Sequence, residues 1–321
     1  MNKKIEIISE VAQGYEGKVE LANLLTKGSL GSGADSVKFQ LIFADELATP
    51  DYEHYELFKS LEMKTSVWKN ISNIIHQNRK KLYFDIFGTK SLRLAKQVHA
   101  DGIKISTTEF YNKRLIIKSL SSFDKVFISI GGIPIEDIDS LIFNELADYK
   151  EKICLMYGFQ SEPTPLNKNN LRKIVSFKYR YPDINIGFMD HSNGSKDDAF
   201  LTSLIALGMD ISCIEKHITL DHILKIEDYI SGISPDNFKK FTNMIRKYEK
   251  ALGSGNLKLT KIENDYRTKA VKTVVALKKI KKGHIIKLSD VALKRVGNRI
   301  DKAKYYNSVE DAINHKLKID V

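Results

Sequence analysis

Two lysines stand inside apolar, β-branched runs: Lys38 in Ser36-Val37-Lys38-Phe39 and Lys104 in Gly102-Ile103-Lys104-Ile105. An ammonium in such a run is costly unless a carboxylate or a bound anion faces it, so the pair points to a ligand bearing phosphate or carboxylate. A stem that carries the ammonium outward to solvent is the plainer alternative. Two histidines follow further runs, His191 in Asp190-His191 and His217 in Glu215-Lys216-His217. Both imidazoles can then reach one divalent ion, with Glu215 or Asp190 as nearby carboxylates, unless they are ordinary satisfied histidines. Glu10, Gln40, Asp85 and Ser129 close other runs of the same kind. The lysines would also suit a Schiff-base enzyme, which a metal pair makes redundant. His54, His76, His99, His222, His284 and His315 lack such placement and are expected on the surface.

What must position these groups is a set of eight short runs, beginning at Ile5, Ser36, Lys81, Gly102, Val126, Ile153, Ile184 and Ile211. Each interval has room for a crossover helix, which argues for parallel strands closed into a (β/α)8 barrel, an α/β fold whose chemistry sits at the carboxyl ends of its strands. Glu20 to Leu25 and Asp198 to Leu207 read as barrel-wall helices, the latter with Gly208 as its C-cap. A charged helix from Asn237 to about Ala251 precedes Leu252-Gly253-Ser254-Gly255-Asn256, a linker signal. The expected organisation is therefore a barrel over 1–251, a linker over 252–268 and a small β-rich domain over 269–321. Ala270 to Leu277 and Val291 to Arg295 read as its strands, around a turn at Lys281-Lys282-Gly283.

The formal net charge of the 321 residues is +11, yet Tyr266 to Val321 holds 15 Lys and Arg against 5 Asp and Glu. The barrel is thus nearly neutral, and the basic end carries no nucleic-acid motif, so no nucleic-acid partner is expected. No apolar stretch is long enough for a membrane helix and the start has no apolar leader, so a cytoplasmic protein without a membrane partner is expected. Cys154 and Cys213 both lie in apolar runs and read as buried thiols rather than a disulfide scaffold.

Four segments in order resemble the sialic acid synthases, the bacterial N-acetylneuraminate synthase family. They are Ser9-Glu10-Val11-Ala12-Gln13-Gly14-Tyr15-Glu16-Gly17, Gly33-Ala34-Asp35-Ser36-Val37-Lys38-Phe39-Gln40, Met189-Asp190-His191-Ser192 and Ile214-Glu215-Lys216-His217-Ile218-Thr219-Leu220-Asp221. Val275 to Gly283 and Val291 to Asn298 look like the antifreeze-like (SAF) domain of the same enzymes. The resemblance implies a condensation of phosphoenolpyruvate with an open-chain N-acylated hexosamine, such as N-acetylmannosamine, to a nine-carbon 2-keto sugar acid and phosphate.

Carried onto this chain, the resemblance makes His191 and His217 the ligands of a divalent ion, usually Mn2+, with Mg2+ or Co2+ as alternatives, that polarises the sugar aldehyde. Lys38, Lys104, Thr107 and Ser129 would hold phosphoenolpyruvate, with Asp190 beside the substrate. Glu10, Gln40, Glu215 and Asp228 would surround the reacting centre. Arg295 would reach the sugar's N-acyl end from the other subunit of a domain-swapped homodimer. The chain departs from the pattern where Phe84-Asp85-Ile86-Phe87 replaces a Ser-Thr-Pro stretch, so that a carboxylate would repel phosphoenolpyruvate. It departs again at Glu162-Pro163-Thr164-Pro165, for Tyr-Pro-Thr-Pro, and at Lys294-Arg295-Val296-Gly297-Asn298-Arg299. Two alternatives stand beside the synthase: a sugar-phosphate-binding barrel that has lost condensation, and a metal-dependent aldolase or lyase acting on a keto acid.

Overall fold

A computed structural model describes residues 4–161, 163–297, 306 and 308–321. Eight parallel strands close into a barrel in sequence order: β1 Glu6–Ala12, β2 Ser36–Gln40, β3 Lys81–Ile86, β4 Gly102–Ile105, β5 Val126–Ser129, β6 Ile153–Tyr157, β7 Asn185–Asp190 and β8 Cys213–His217, with β8 returning to β1. Helices such as Val19–Gly31, Thr65–Gln77, Asp198–Leu207 and Pro235–Glu249 occupy the intervals. The last begins with Ser234, whose hydroxyl accepts from the Asn237 amide, and Pro235 in the first turn, a start signal visible in the sequence.

Strand parity decides what each residue does. Residues pointing outward, such as Ile7, Val37, Phe84, Ile103, Ile128 and Phe188, pack on the helices and form the main hydrophobic core. Residues pointing inward form a separate cluster of Ile8, Tyr83, Phe127, Cys154, Met156, Met189 and Cys213, which plugs the barrel. Cys154 and Cys213 are buried free thiols in this plug, their sulfurs 3.7 Å apart. Above the plug, toward the carboxyl ends, the inward positions become polar.

One aromatic group braces the loop after β1. Tyr15, Phe39, Trp68 and Phe84 meet edge-on or tilted, with centroids 5.3–6.4 Å apart. The Tyr15 hydroxyl donates to the Gln40 carbonyl at 3.0 Å, fastening the end of β1 to the end of β2.

The chain divides into two compact units, Met1–Ser254 and Gly255–Val321. The stretch expected as linker, 252–268, is not irregular throughout. Lys261–Ala270 is a helix, opened by Thr260 and Glu263 in a reciprocal capping box. In the second unit β9, Thr273–Ala276, pairs antiparallel with β10, Val291–Lys294, over a core of Val274, Ile286, Val291 and Ala312. Gly283 turns with φ +89° where the Lys-Lys-Gly signal placed a turn. Asp290 is buried and pairs with Lys278 and His284, both at 2.8 Å, contacts that hold its carboxyl well below the usual range. Of the motif residues quoted above, Asn298, Arg299 and Glu162 lie outside the described residues.

Candidate active site

The polar layer surrounds a cavity of about 380 Å3 at the carboxyl-terminal mouth. Glu10, Gln40, Asp85, Lys104, Thr107, Ser129, His191, Glu215 and His217 line it. They come from six of the eight strands and from the segments that follow β4 and β7. A second cleft, about 600 Å3, opens at the opposite mouth, where Lys4 pairs with Asp35 and Lys152 with Asp124. Barrel enzymes place their chemistry at the carboxyl-terminal face, which favours the first cavity.

Three of the strands, β1, β7 and β8, run further than their apolar residues suggested. β1 continues through Glu10 to Ala12, with a bulge between them in its pairing with β2. Ala12 takes the left-handed conformation, φ 50°, and its amide donates to the Glu10 carboxylate at 2.7 Å. The bulge shifts the register, so that Ala12 pairs with Phe39, and it fixes the Glu10 side chain. β8 likewise contains Glu215, Lys216 and His217, so parity sends Glu215 and His217 inward and Lys216 outward.

Lys38 is 0% exposed and does not line the cavity. It sits beneath the floor among three carboxylates: Glu10, Asp85 at 2.6 Å and Glu215 at 3.5 Å. Burial alone would discharge it, but Asp85, Glu10 and Glu215 outweigh burial and hold its ammonium well above the usual lysine range. Lys104, 6% exposed, is on the wall and contacts Glu215 at 2.7 Å and Asp85 at 3.5 Å.

The two glutamates diverge. Burial pushes Glu10 up to about 8, against the pull of Lys38, while Glu215 is held at about 2 because Lys104 and Lys38 outweigh its burial. A protonated and an ionised carboxyl side by side is the pattern of an acid and a charged positioning group. Thr107 and Ser129 share a hydroxyl–hydroxyl contact of 2.8 Å, which leaves further donor capacity toward the cavity.

The His191 and His217 rings are neighbours, with centroids 5.1 Å apart and planes tilted by 51°. Burial drives His191 down to about 4 and His217 well below the usual value, so both are neutral and carry lone pairs at neutral pH. His191 Nδ1 is buried with no hydrogen-bond partner. Its backbone is fixed, since the His191 carbonyl accepts from the Thr164 amide at 2.9 Å and the Ser231 hydroxyl at 3.1 Å. An orphaned nitrogen on one of two neutral imidazoles fits a borderline divalent ion. Among the described residues no third His, Cys, Asp or Glu completes a ligand cluster, so water or substrate oxygens would fill the remaining positions.

Three expected site residues stand elsewhere. Asp190 points outward from β7, accepting from the Ser192 amide at 2.9 Å and the Ser203 hydroxyl at 2.6 Å, with Lys216 at 3.5 Å. It does not touch the cavity; it fastens the turn that carries His191. Asp228 lies at the rim, accepting from the Gln160 side chain at 2.9 Å and facing the Gln13 amide at 3.4 Å. Arg295 belongs to the second unit, where its Nε donates to the Ala270 carbonyl at 3.1 Å. Sequence reasoning gave no role to Gln13, which joins Gln40 through a 2.7 Å side-chain contact, or to Met189, the inward residue of β7 on the wall. Gly158, also on the wall, has φ +130° and a backbone so near β7 that a Cβ would lie 2.2 Å from the Met189 carbonyl oxygen. Only glycine fits there.

The sequence of residues 25–257 matches the model of the NeuB family. The chain belongs to the NeuB family. Its relatives include an uncharacterized protein of Methanocaldococcus jannaschii, 27% identical over 98% of this chain and 90% of the relative. N,N'-diacetyllegionaminic acid synthase of Campylobacter jejuni is 28% identical over 94% of each chain. Among solved structures, the N-acetylneuraminic acid (sialic acid) synthetase of Leptospira borgpetersenii in complex with citrate superposes with a TM-score of 0.76 at 23% identity, covering 84% of this chain and 93% of that one. At that identity the likeness speaks for the fold. The Campylobacter relative is by name a synthase, and the sialic acid synthase resemblance is established for this chain at the level of the family. Among the described residues no helix is long and apolar enough to cross a membrane.

Proposed function

We propose that this protein condenses phosphoenolpyruvate with an open-chain N-acylated hexosamine to give a nonulosonic acid and phosphate. The observation that carries the reading is the one cavity in which a NeuB-family barrel gathers the His191 and His217 imidazoles, Lys104, the Thr107–Ser129 hydroxyl pair and the buried Glu10 carboxyl. Lys104 and the two hydroxyls would bind the donor's anionic groups by charge-assisted and neutral hydrogen bonds. Glu215, ionised, holds Lys104 in place from below.

A divalent ion, of which Mn2+ is the first candidate, would be held by His191 and His217 and would polarise the sugar aldehyde. The donor's methylene carbon forms the new bond to the aldehyde carbon. The aldehyde oxygen becomes a hydroxyl by taking a proton, for which the Glu10 carboxyl is placed. Water adds to the donor's oxygen-bearing carbon, which becomes the ketone as phosphate leaves. Gln40, held by Gln13, and Asp228, held by Gln160 at the rim, would bind sugar hydroxyls.

The basic second unit would act as an SAF domain, with Arg295 delivered to the sugar's N-acyl end by the partner of a swapped homodimer. A lone unit of this size is marginally stable without a partner surface. Monomeric mass in solution would contradict that arrangement. A cytoplasmic location fits a protein that uses such metabolites. The chemistry is tested by following phosphate release from phosphoenolpyruvate with Mn2+ and N-acetylmannosamine or a diacetamido hexose. Release should require both sugar and ion and vanish in His217→Ala; release that persists in this variant, or after chelation, would remove the histidine pair from the mechanism.

A further inference from the structure

Asp85 occupies an unusual place in this cavity. It is 2% exposed and bridges the two buried lysines, with Oδ1 2.6 Å from Lys38 Nζ and Oδ2 3.5 Å from Lys104 Nζ. Lys104 is the only lysine or arginine on the cavity wall among the described residues, while three carboxylates, Glu10, Asp85 and Glu215, share that wall. Every cationic group that an entering anion meets is therefore already facing an anion of the protein itself.

The two contacts to Lys104 are unequal. Glu215 holds it at 2.7 Å, whereas Asp85 stands at 3.5 Å and has its closer partner in Lys38. Asp85 thus contributes negative potential at Lys104 more than it contributes a bond. Lys38, for its part, keeps Glu10 and Glu215 when Asp85 is neutralised, so removal of this one charge does not strip the buried cation of its partners. An asparagine retains the carbonyl oxygen that accepts from Lys38.

We propose that Asp85 is a specificity-determining residue of the donor subsite, an internal counter-anion that weakens the hold of Lys104 on phosphate-bearing ligands. The inference rests on the function proposed above for the choice of donor, but its physical content concerns any phosphate that enters the cavity. Phosphate carries more negative charge than a lone carboxylate, so the Asp85 charge acts against it more strongly. The product phosphate is then released readily, and the donor must bind through contacts other than charge alone.

The test is calorimetric titration of the full chain with inorganic phosphate and, separately, with phosphoenolpyruvate, in wild type, Asp85→Asn and Asp85→Ser, at one fixed salt concentration. Both variants should bind inorganic phosphate at least tenfold more tightly than wild type, and Asp85→Glu, which keeps the charge, should not. Thermal melting identifies a variant that fails to fold, and the serine variant then carries the comparison. Phosphate affinity that is unchanged or weaker in the folded variants overturns the proposal and leaves Asp85 a packing partner of the lysines. Turnover is measured in parallel. Tighter phosphate binding without turnover in any of the proteins would sustain this inference and contradict the synthase reading. Turnover in wild type without a gain in phosphate affinity would do the reverse.

Discussion

Replacing Lys38 with methionine removes a charge while keeping most of the side chain's volume, and the consequence can be worked from its surroundings. Lys38 is wholly buried between Glu10, Asp85 and Glu215. Without it, Lys104 alone faces three carboxylates, and unpaired buried charge costs on the order of 3–5 kcal/mol. For a barrel of this size a loss of 1 kcal/mol lowers the melting midpoint by roughly 2–4 °C, so Lys38→Met should melt about 6–20 °C below wild type near pH 8. The sign of the pH dependence follows from linkage. Carboxyls that lose their cation have folded-state pKa values raised above the unfolded ones, so the folded state is favoured at low pH and loses stability as pH rises. The deficit should accordingly shrink on going from about pH 8 to about pH 5, where protonation relieves the repulsion. Denaturant unfolding at the two pH values measures it. A deficit below about 1 kcal/mol at pH 8, or one equally large at pH 5, would refute the argument that Lys38 exists to neutralise this cluster.

Three further outcomes follow from other residues. Glu10, raised to about 8 chiefly by burial, favours the folded state below its unfolded value and costs stability as pH rises toward 8; Glu10→Gln should therefore gain stability over wild type at pH 8 but not at pH 4, and should lose the alkaline limb of the activity profile near 8, as melting and initial rates would show. Asp190→Ala removes the acceptor of the Ser192 amide and the Ser203 hydroxyl, and should cost about 2–4 kcal/mol in unfolding experiments without raising the KM of either substrate more than a few-fold; a large KM effect with intact stability would place Asp190 in the site after all. Gly158→Ala forces a Cβ into the Met189 carbonyl and should lower the melting midpoint and kcat together, whereas an unchanged midpoint would show that the loop yields freely.

The fold was legible because eight β-branched runs at crossover spacing have few other solutions, and each proved to be a strand. What apolar patterning could not show was where the strands stop. A run of hydrophobic residues ends at the first polar side chain, but the backbone ladder does not. β1, β7 and β8 continue through Glu10, Asp190 and His217, the residues of interest. Once Asp190 is inside β7, parity alone points it away from the cavity and turns Met189 inward. Lys104 could be placed at the site from its own sequence, since its strand carries it to the cavity wall. Lys38 could not be separated from it, because the carboxylates that enclose it arrive from β1, β3 and β8 and leave no trace near it in the sequence. The helix Lys261–Ala270 was missed for a different reason. Its apolar side is thin, Ile262, Tyr266 and Ala270 alone, and none of the three is buried, so the Thr260–Glu263 capping box is its clearest signal.

The central claim is that one cavity joins a three-carbon donor to a hexosamine, and the most direct measurement follows the carbon. Phosphoenolpyruvate labelled with 13C at all three carbons, incubated with the protein, Mn2+ and an N-acylated hexosamine, should yield by mass spectrometry a single nine-carbon keto acid carrying all three labels, in step with phosphate release. Labelled pyruvate with no heavier sugar acid would contradict the account, for it would show a barrel that hydrolyses the donor and forms no carbon–carbon bond.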